Sequence, residues 1–125
     1  MPNALTVLMA IGVTCSCIAD KSNVLLDVET GVIGRWELVS TLEGGGPPLP
    51  ADPGTFEIFR ADHTVALTCA DAGSSWVLLA DGRTIQIITA LGIMFRWKVI
   101  ELSDTTFAFS EDIAEFHYER RTACP

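Results

Sequence analysis

The residues of this 125-residue chain that could do chemistry are few and lie far apart. It has two histidines, His63 and His117, and no Gly-x-Ser-x-Gly motif that would mark a serine nucleophile. The neighbouring acidic residues Glu111 and Asp112 fall where a turn is predicted, and the chain lacks the dense ligand spacing of a calcium loop. We therefore expect no catalytic residue, no metal site and no cofactor, and a protein that is not an enzyme.

The cysteines near the N-terminus suggest a different chemistry, which is covalent attachment to a lipid. Residues 4–13 form an uncharged apolar run that stops just before Cys15-Ser16-Cys17. The run is too short to span a hydrocarbon core about 30 Å thick, but it matches the apolar segment of a secretory signal. Small residues before a cysteine resemble a bacterial lipoprotein signal, and Ser16 favours Cys17 over Cys15 as the acylated residue. The alternative is a buried N-terminal helix or strand.

These features predict a signal peptide over residues 1–17 and an exported protein, lipid-anchored in the cell envelope in the periplasm or at the outer membrane. Such a compartment permits a disulfide between Cys69 and Cys124. Cys69 ends the predicted third strand and Cys124 follows the eighth, so an up-and-down barrel would put them at opposite rims. That geometry argues against assuming the bond, and we leave the pairing open.

The charge of the chain limits its partners. Sixteen acidic and eight basic residues give a net charge of −8, and the basic residues are scattered along the sequence. A nucleic-acid surface needs concentrated positive charge, so nucleic acid is excluded as a partner. We expect a monomer that contacts the membrane only through its lipid anchor.

Hydrophobic patterning predicts the elements that must position any site. Eight short strand-like runs are separated by turn residues such as Asp81-Gly82, and neighbours in sequence should pair antiparallel. The runs are 33–41, 55–60, 64–69, 74–80, 84–89, 93–102, 105–110 and 114–121. The fold class is therefore an all-β, eight-stranded antiparallel up-and-down β-barrel over residues 33–125. Residues 18–32 are predicted to form a tether and a short plug, and the Pro/Gly-rich residues 42–54 form a flap over the mouth.

Alternation along each run assigns one face to the barrel interior. The apolar set that shares this face comprises Trp36, Leu38, Phe56, Ile58, Val65, Leu67, Trp76, Leu78, Ile85, Ile87, Phe95, Trp97, Phe107, Phe109, Phe116 and Tyr118. Glu57 falls on the opposite, outward face. In the sixth run the apolar parity changes after Val99, which predicts a β-bulge near Val99-Ile100.

These residues together resemble the lipocalin-like domain of small bacterial exported lipoproteins. The resemblance is carried by Ile33-Gly-Arg-Trp-Glu-Leu-Val-Ser40, Phe56-Glu-Ile-Phe-Arg-Ala-Asp-His-Thr-Val65, Ser75-Trp-Val-Leu78, Asp81-Gly-Arg-Thr-Ile85, Val99-Ile-Glu-Leu-Ser-Asp-Thr-Thr-Phe107 and Phe116-His-Tyr-Glu-Arg120. It implies that Trp36 lies at the closed end of the barrel under Arg120, whose parity places it inside. It also marks His63 as a departure, since this turn position is usually Gly.

An eight-stranded barrel is just wide enough to be filled by side chains or to hold one small ligand. If it holds one, the candidate ligand-binding residues are in the interior and the flap: Leu38, Phe56, Trp76, Trp97, Phe107 and Leu49. We expect a lipocalin-like lipoprotein that binds or carries a small hydrophobic molecule. The alternative is an envelope-anchored interaction or inhibitor module with a filled core and no ligand.

Overall fold

The computed structural model describes residues 26–125. One short helix precedes nine strands: α1 (Val28–Gly31), β1 (Gly34–Glu43), β2 (Leu49–Pro50), β3 (Phe56–Phe59), β4 (Thr64–Ala66), β5 (Ser74–Leu78), β6 (Thr84–Ile88), β7 (Met94–Leu102), β8 (Thr106–Glu111) and β9 (Ala114–Arg121). The predicted signal peptide, the predicted acylation of Cys17 and the first part of the tether lie outside the described residues. Within residues 26–125, no helix is long and apolar enough to cross a bilayer.

The strands close into an antiparallel barrel. From β3 to β9 each strand pairs with its sequence neighbour, and β1 pairs with both β3 and β9. The β1–β9 ladder runs from Arg35 opposite Arg121 to Glu43 opposite Ala114, so the first and last strands join along their length. β2 continues the line of β3 along the far part of β1, which makes the barrel eight-stranded. The predicted fold class is confirmed.

The barrel has a closed end and a mouth. At the closed end β1 begins, β9 ends and α1 packs across the opening, with Val28 and Val32 buried in the core. The mouth is the opposite rim, formed by residues 42–54 (the flap), residues 67–73, the β6–β7 hairpin loop 89–93 and the turn at Asp112.

The predicted bulge in the sixth run is confirmed. Phe109 of β8 lies opposite Val99 and Ala108 lies opposite Glu101, so Ile100 is the extra residue in β7. Because of this extra residue, Val99 and Leu102 both point into the barrel although they are three positions apart, and both side chains are buried. An extra residue bends the strand and increases its twist, as closure of a small barrel requires.

Alternation gave the wrong faces for β3. Trp36 and Glu57 are directly opposed across β1 and β3, and opposed residues share a face of the sheet. Glu57 therefore points inward with Trp36 and Phe59, whereas Phe56 and Ile58 point outward. The run Phe56-Glu-Ile-Phe59 carries apolar residues on both parities, and the pair Phe56 and Ile58 is the more apolar of the two, which favours the wrong face. The assignment of Phe56 and Ile58 to the core is corrected.

Cys69 and Cys124 form a disulfide, with 5.6 Å between their Cα atoms. The argument from opposite rims was wrong because β4 ends early, at Ala66. Ala66 lies opposite Ile58, and Ile58 lies opposite Arg35 next to the end of β9. The end of β4 and the end of β9 are therefore separated by three inter-strand spacings of ~4.8 Å each, or about 14 Å. The tail after β9 covers this distance by crossing the strands rather than running along one of them.

The disulfide covers an apolar region on the outer face of the barrel. Ile58 points outward yet is only 4% exposed. The tail lies beside it, with Arg35 donating a hydrogen bond to the carbonyl of Thr122. The guanidinium of Arg60 donates to the carbonyls of Cys69 and of Ala72, which holds the 67–73 loop on the same side. Ile58, on the outward face of β3, is thus buried under chain segments from elsewhere in the sequence.

Candidate functional site

A cavity of about 310 Å³ opens at the mouth of the barrel. Its walls come from β3, β4, the 67–73 loop, the start of β5 and the β6–β7 hairpin. The lining residues are Glu57, Val65, Ala66, Leu67, Asp71, Gly73, Ser74, Ile87, Thr89, Phe95 and Trp97. Small-molecule sites in proteins typically occupy about 300–1,000 Å³ and are mostly apolar with a few polar groups, so this cavity suits a small ligand.

The closed half of the barrel is filled by aromatic side chains. Phe59 packs edge-on against Trp76 and Phe107, with ring centroids 5.7 and 5.9 Å apart. Trp36 and Phe107 lie 5.4 Å apart at the level of α1. Within residues 26–125 the interior is therefore filled from the helix upward, and its open space lies near the mouth.

Trp97 forms the boundary between the filled half and the cavity. Its ring stacks on Phe109 with centroids 4.0 Å apart and an interplanar angle of 6°. It also lines the cavity, and its indole N–H is buried without a hydrogen-bond partner among the described residues. A buried donor without an acceptor is unfavourable, so this ring is held by packing rather than by a hydrogen bond.

Glu57 is the unexpected member of the site. Its carboxyl faces the interior opposite Trp36, and within residues 26–125 it has no ion pair or hydrogen bond to another side chain or to the backbone. Burial raises the pKa of Glu57 from 4.5 to about 7, because the charged form loses its hydration. The sequence signal that could have found it is Phe59: placing this residue in the core forces Glu57 to share the interior.

The structure separates the six predicted ligand-binding residues. Trp97 lines the cavity, whereas Trp76 and Phe107 are buried in the filled half and Leu38 is half-buried against it. Phe56 lies outside the barrel, where the guanidinium of Arg35 stands 4.1 Å from its ring centroid. Leu49, in β2, is exposed and is not among the residues that line the cavity.

The flap is held away from the cavity by hydrogen bonds to β1. β2 pairs with Ser40 and Thr41, and the amide of Ala51 donates to the carbonyl of Val39. The amide of Gly54 donates to the carboxylate of Glu37 at 2.8 Å. The flap therefore extends the barrel wall, and no residue of 42–54 lines the cavity.

Trp36 and Arg120 lie in contact at the closed end. The guanidinium carbon of Arg120 stands 4.2 Å from the ring centroid of Trp36, a cation–π contact typically worth about 0.5–2 kcal/mol. Arg120 also donates hydrogen bonds to the carbonyls of Gly31, Ile33 and Asp104. Gly34 leaves room for this arrangement, since a Cβ there would collide with the guanidinium.

The histidines take part in surface contacts. The ring of His63 contacts the carboxylate of Glu29 and packs edge-on against Trp76, with centroids 4.6 Å apart. His63 has a φ of 68°, a region that glycine adopts readily, which explains why glycine suits this turn. His117 contacts the carboxylate of Glu115. In the part of the chain that the structure describes, no three His, Cys, Asp or Glu side chains form a group that could hold a metal.

Comparison with known proteins gives similarity of fold. No family model matches the chain, and no curated protein matches it. A crystal structure of an uncharacterized protein from Bacteroides eggerthii superimposes with a TM-score of 0.58 at 15% identity, covering 71% of this chain and 98% of that one. A lipocalin-like protein from Bacteroides uniformis superimposes with a TM-score of 0.52 at 17% identity, covering 73% of this chain and 99% of that one. The barrel is thus similar to a lipocalin-like fold.

Proposed function

We propose that this protein is a non-enzymatic, lipocalin-like lipoprotein of the bacterial envelope that binds or carries a small hydrophobic molecule. The observation that carries the proposal is the cavity at the mouth, with apolar walls from Val65, Ile87, Phe95 and Trp97 above a filled core. Removal of a small apolar solute from water into such walls contributes about 25 cal/mol for each Å² buried. The ligand site is this cavity alone, since the rest of the interior is occupied.

Two features support the exported location. The Cys69–Cys124 disulfide is of a kind that persists in oxidising compartments such as the periplasm. The apolar run before Cys15 and Cys17 is the sequence basis for lipid attachment, which would tether the barrel to a membrane. We propose that the barrel functions as a monomer at that membrane.

Titration of the purified barrel with n-octanol tests the binding function. Trp97 lines the cavity, so tryptophan fluorescence should change and saturate as the cavity fills. Leu67→Trp places a large ring at the cavity wall and should weaken binding, whereas Val77→Trp, on the outward face of β5, should leave it unchanged. Absence of binding, or equal loss in both variants, would contradict the proposed function.

A second function, as a protein-interaction module, is favoured by the β6–β7 hairpin. Leu91 at its tip is 88% exposed, and the neighbouring Ile93 and Met94 are also exposed. A photo-crosslinking residue at Leu91, compared with one at Val77, would trap a protein partner in cells. A specific product at Leu91, combined with no binding of n-octanol, would favour this second function.

A further inference from the structure

The chemistry of the cavity identifies the class of ligand more closely than its volume does. The carboxyl of Glu57, on β3, is among the groups that line this apolar space, and no cationic side chain is among the residues lining it. Glu57 is half-buried, and a carboxylate that has lost part of its hydration is unfavourable in its ionised form unless it is paired. Since the described residues supply no counter-ion, a ligand with a positive charge would supply it.

The other charges near the cavity have the same sign. Asp71 is the second charged residue of the lining, and the whole chain has a net charge of −8. A mouth lined by one sign of charge with low-dielectric walls attracts ions of opposite charge and repels those of like charge. This potential favours cations over fatty acids and other carboxylates.

The aromatic walls suit the same ligand. Phe95 and Trp97 line the cavity with Ile87, so a ligand would contact ring faces or edges as well as aliphatic surface. Aromatic rings attract ammonium groups within about 6 Å of the ring centroid, and they also bury hydrocarbon. The site therefore combines a carboxyl, aromatic rings and apolar surface.

We propose that the cavity binds a small amphiphile with a protonated amine, whose ammonium pairs with the carboxylate of Glu57 while its hydrocarbon part lies against Ile87, Phe95 and Trp97. This inference rests on the proposed function, because it names the ligand class of the same cavity. It adds a requirement that neutral hydrophobic ligands do not meet, which is a positive charge at the carboxyl.

Binding of such a ligand is coupled to a proton. The pKa of Glu57 is raised to about 7 by burial, so below pH 7 the carboxyl must lose a proton before it pairs with an ammonium. The titratable groups facing the same interior are Tyr118, Asp71 and Glu111, which shares the inward face of β8 with Phe107 and Phe109. Arg35 and Glu37 of the adjacent β1 point outward. Tyr118 stays neutral, because burial raises its pKa further above the ordinary value. Arg120 faces the closed end, where backbone carbonyls accept its hydrogen bonds.

The experiment compares three probes of equal chain length: n-octylamine, n-octanol and octanoate. Dissociation constants are measured with the soluble barrel at pH 8 and at pH 5. At pH 8 octylamine should bind about tenfold or more tightly than octanol, as a charge-assisted hydrogen bond contributes, and octanoate should bind most weakly. At pH 5 the affinity for octylamine should fall by about tenfold or more, whereas that for octanol should stay constant.

Glu57→Gln preserves the shape of the side chain and removes its charge. The variant should lose the preference for octylamine and its pH dependence, yet bind octanol as the wild type does. Glu43→Gln makes the same charge change at the mouth rim, outside the cavity lining, and should behave like the wild type. A melting curve for each variant confirms folding.

The outcomes separate the two proposals. Equal affinity for octylamine and octanol in the wild type would overturn the amine site and leave the proposed function standing. Loss of the amine preference in Glu43→Gln as well as Glu57→Gln would also overturn it, because the preference would then reflect overall charge. Failure of all three probes to bind the wild type would overturn both proposals.

Discussion

The two ends of the barrel satisfy their polar groups in opposite ways. At the closed end Trp36 donates its indole N–H to the carbonyl of Val32, and Arg120 bonds to three carbonyls. At the mouth the indole N–H of Trp97 is buried without a partner, and the half-buried carboxyl of Glu57 has no partner among the described residues. Polar groups that pair internally stabilise one structure, whereas a carboxyl that lines the cavity without a partner can accept a hydrogen bond from a ligand. Stability and binding are thus divided between the ends.

Truncation of Trp36 should give the largest effect at the closed end. Trp36→Ala removes a fully buried ring beside Phe107 and should lower the free energy of unfolding by about 3–5 kcal/mol. Phe95→Ala, at the mouth, removes a partly exposed ring and should cost about 1 kcal/mol or less. Urea unfolding measures both. Similar losses of unfolding free energy in the two variants would mean that the closed end does not contribute more to stability than the mouth.

Loss of the disulfide should have the next largest effect. Cys69 and Cys124 are 55 residues apart in sequence, and closing a loop of this length in the unfolded chain should contribute about 2–4 kcal/mol. The paired variant Cys69→Ser/Cys124→Ser should therefore unfold at a lower urea concentration than the wild type, and a reducing agent should reproduce the shift. The fluorescence titration with n-octanol should be unchanged, since neither cysteine lines the cavity.

Replacement of Arg120 should destabilise the closed end to a smaller extent. Arg120→Met keeps a long apolar side chain but leaves the carbonyls of Gly31 and Ile33 without that donor. The expected loss is about 1–3 kcal/mol by thermal or urea unfolding. Arg121→Met is the matched control, because Arg121 forms surface ion pairs with Glu37 and Glu119 that contribute about 0–1 kcal/mol.

At the mouth, replacement of Glu57 should stabilise the protein, and this gain should depend on pH. Between pH 4.5 and 7 the unfolded chain loses the proton of Glu57 while the folded chain retains it, so stability falls as pH rises through this window. Glu57→Gln removes this dependence. The variant should be more stable than the wild type by about 1–2 kcal/mol at pH 8, and equal to it near pH 4.5. If the difference in free energy of unfolding between the variant and the wild type does not vary with pH, the carboxyl of Glu57 is hydrated and its pKa is not raised.

Local patterns were enough to predict most of the fold. Strand alternation, the Asp81-Gly82 turn and the change of parity at Val99 each depend on a few neighbouring residues, and the closed barrel and the bulge at Ile100 are both confirmed. The predictions for β3 failed, because each of its faces carries a buried apolar residue, Ile58 on one and Phe59 on the other, and alternation cannot choose between them. The cover over Ile58 comes from the tail and the disulfide, which no local pattern contains.

The candidate site was less predictable than the fold for the same reason. Trp97 was predicted to face the interior and lines the cavity, but Glu57 was assigned to solvent. A strand position has two possible environments, and a charged residue is placed outside by its type unless pairing with a neighbouring strand forces it inside. Whether the interior is filled or open likewise depends on how the rings of several strands stack.

The amino-acid sequence by itself determined the eight runs that form the barrel wall, their order and the turns between them, because alternation and turn residues act over a few positions along the chain. Only the tertiary structure decided which face of β3 is buried, that Cys69 reaches Cys124, and that empty space remains beside Glu57. These features depend on the register between strands and on segments that meet across the barrel, and the free energy of such contacts is not contained in any local run of residues.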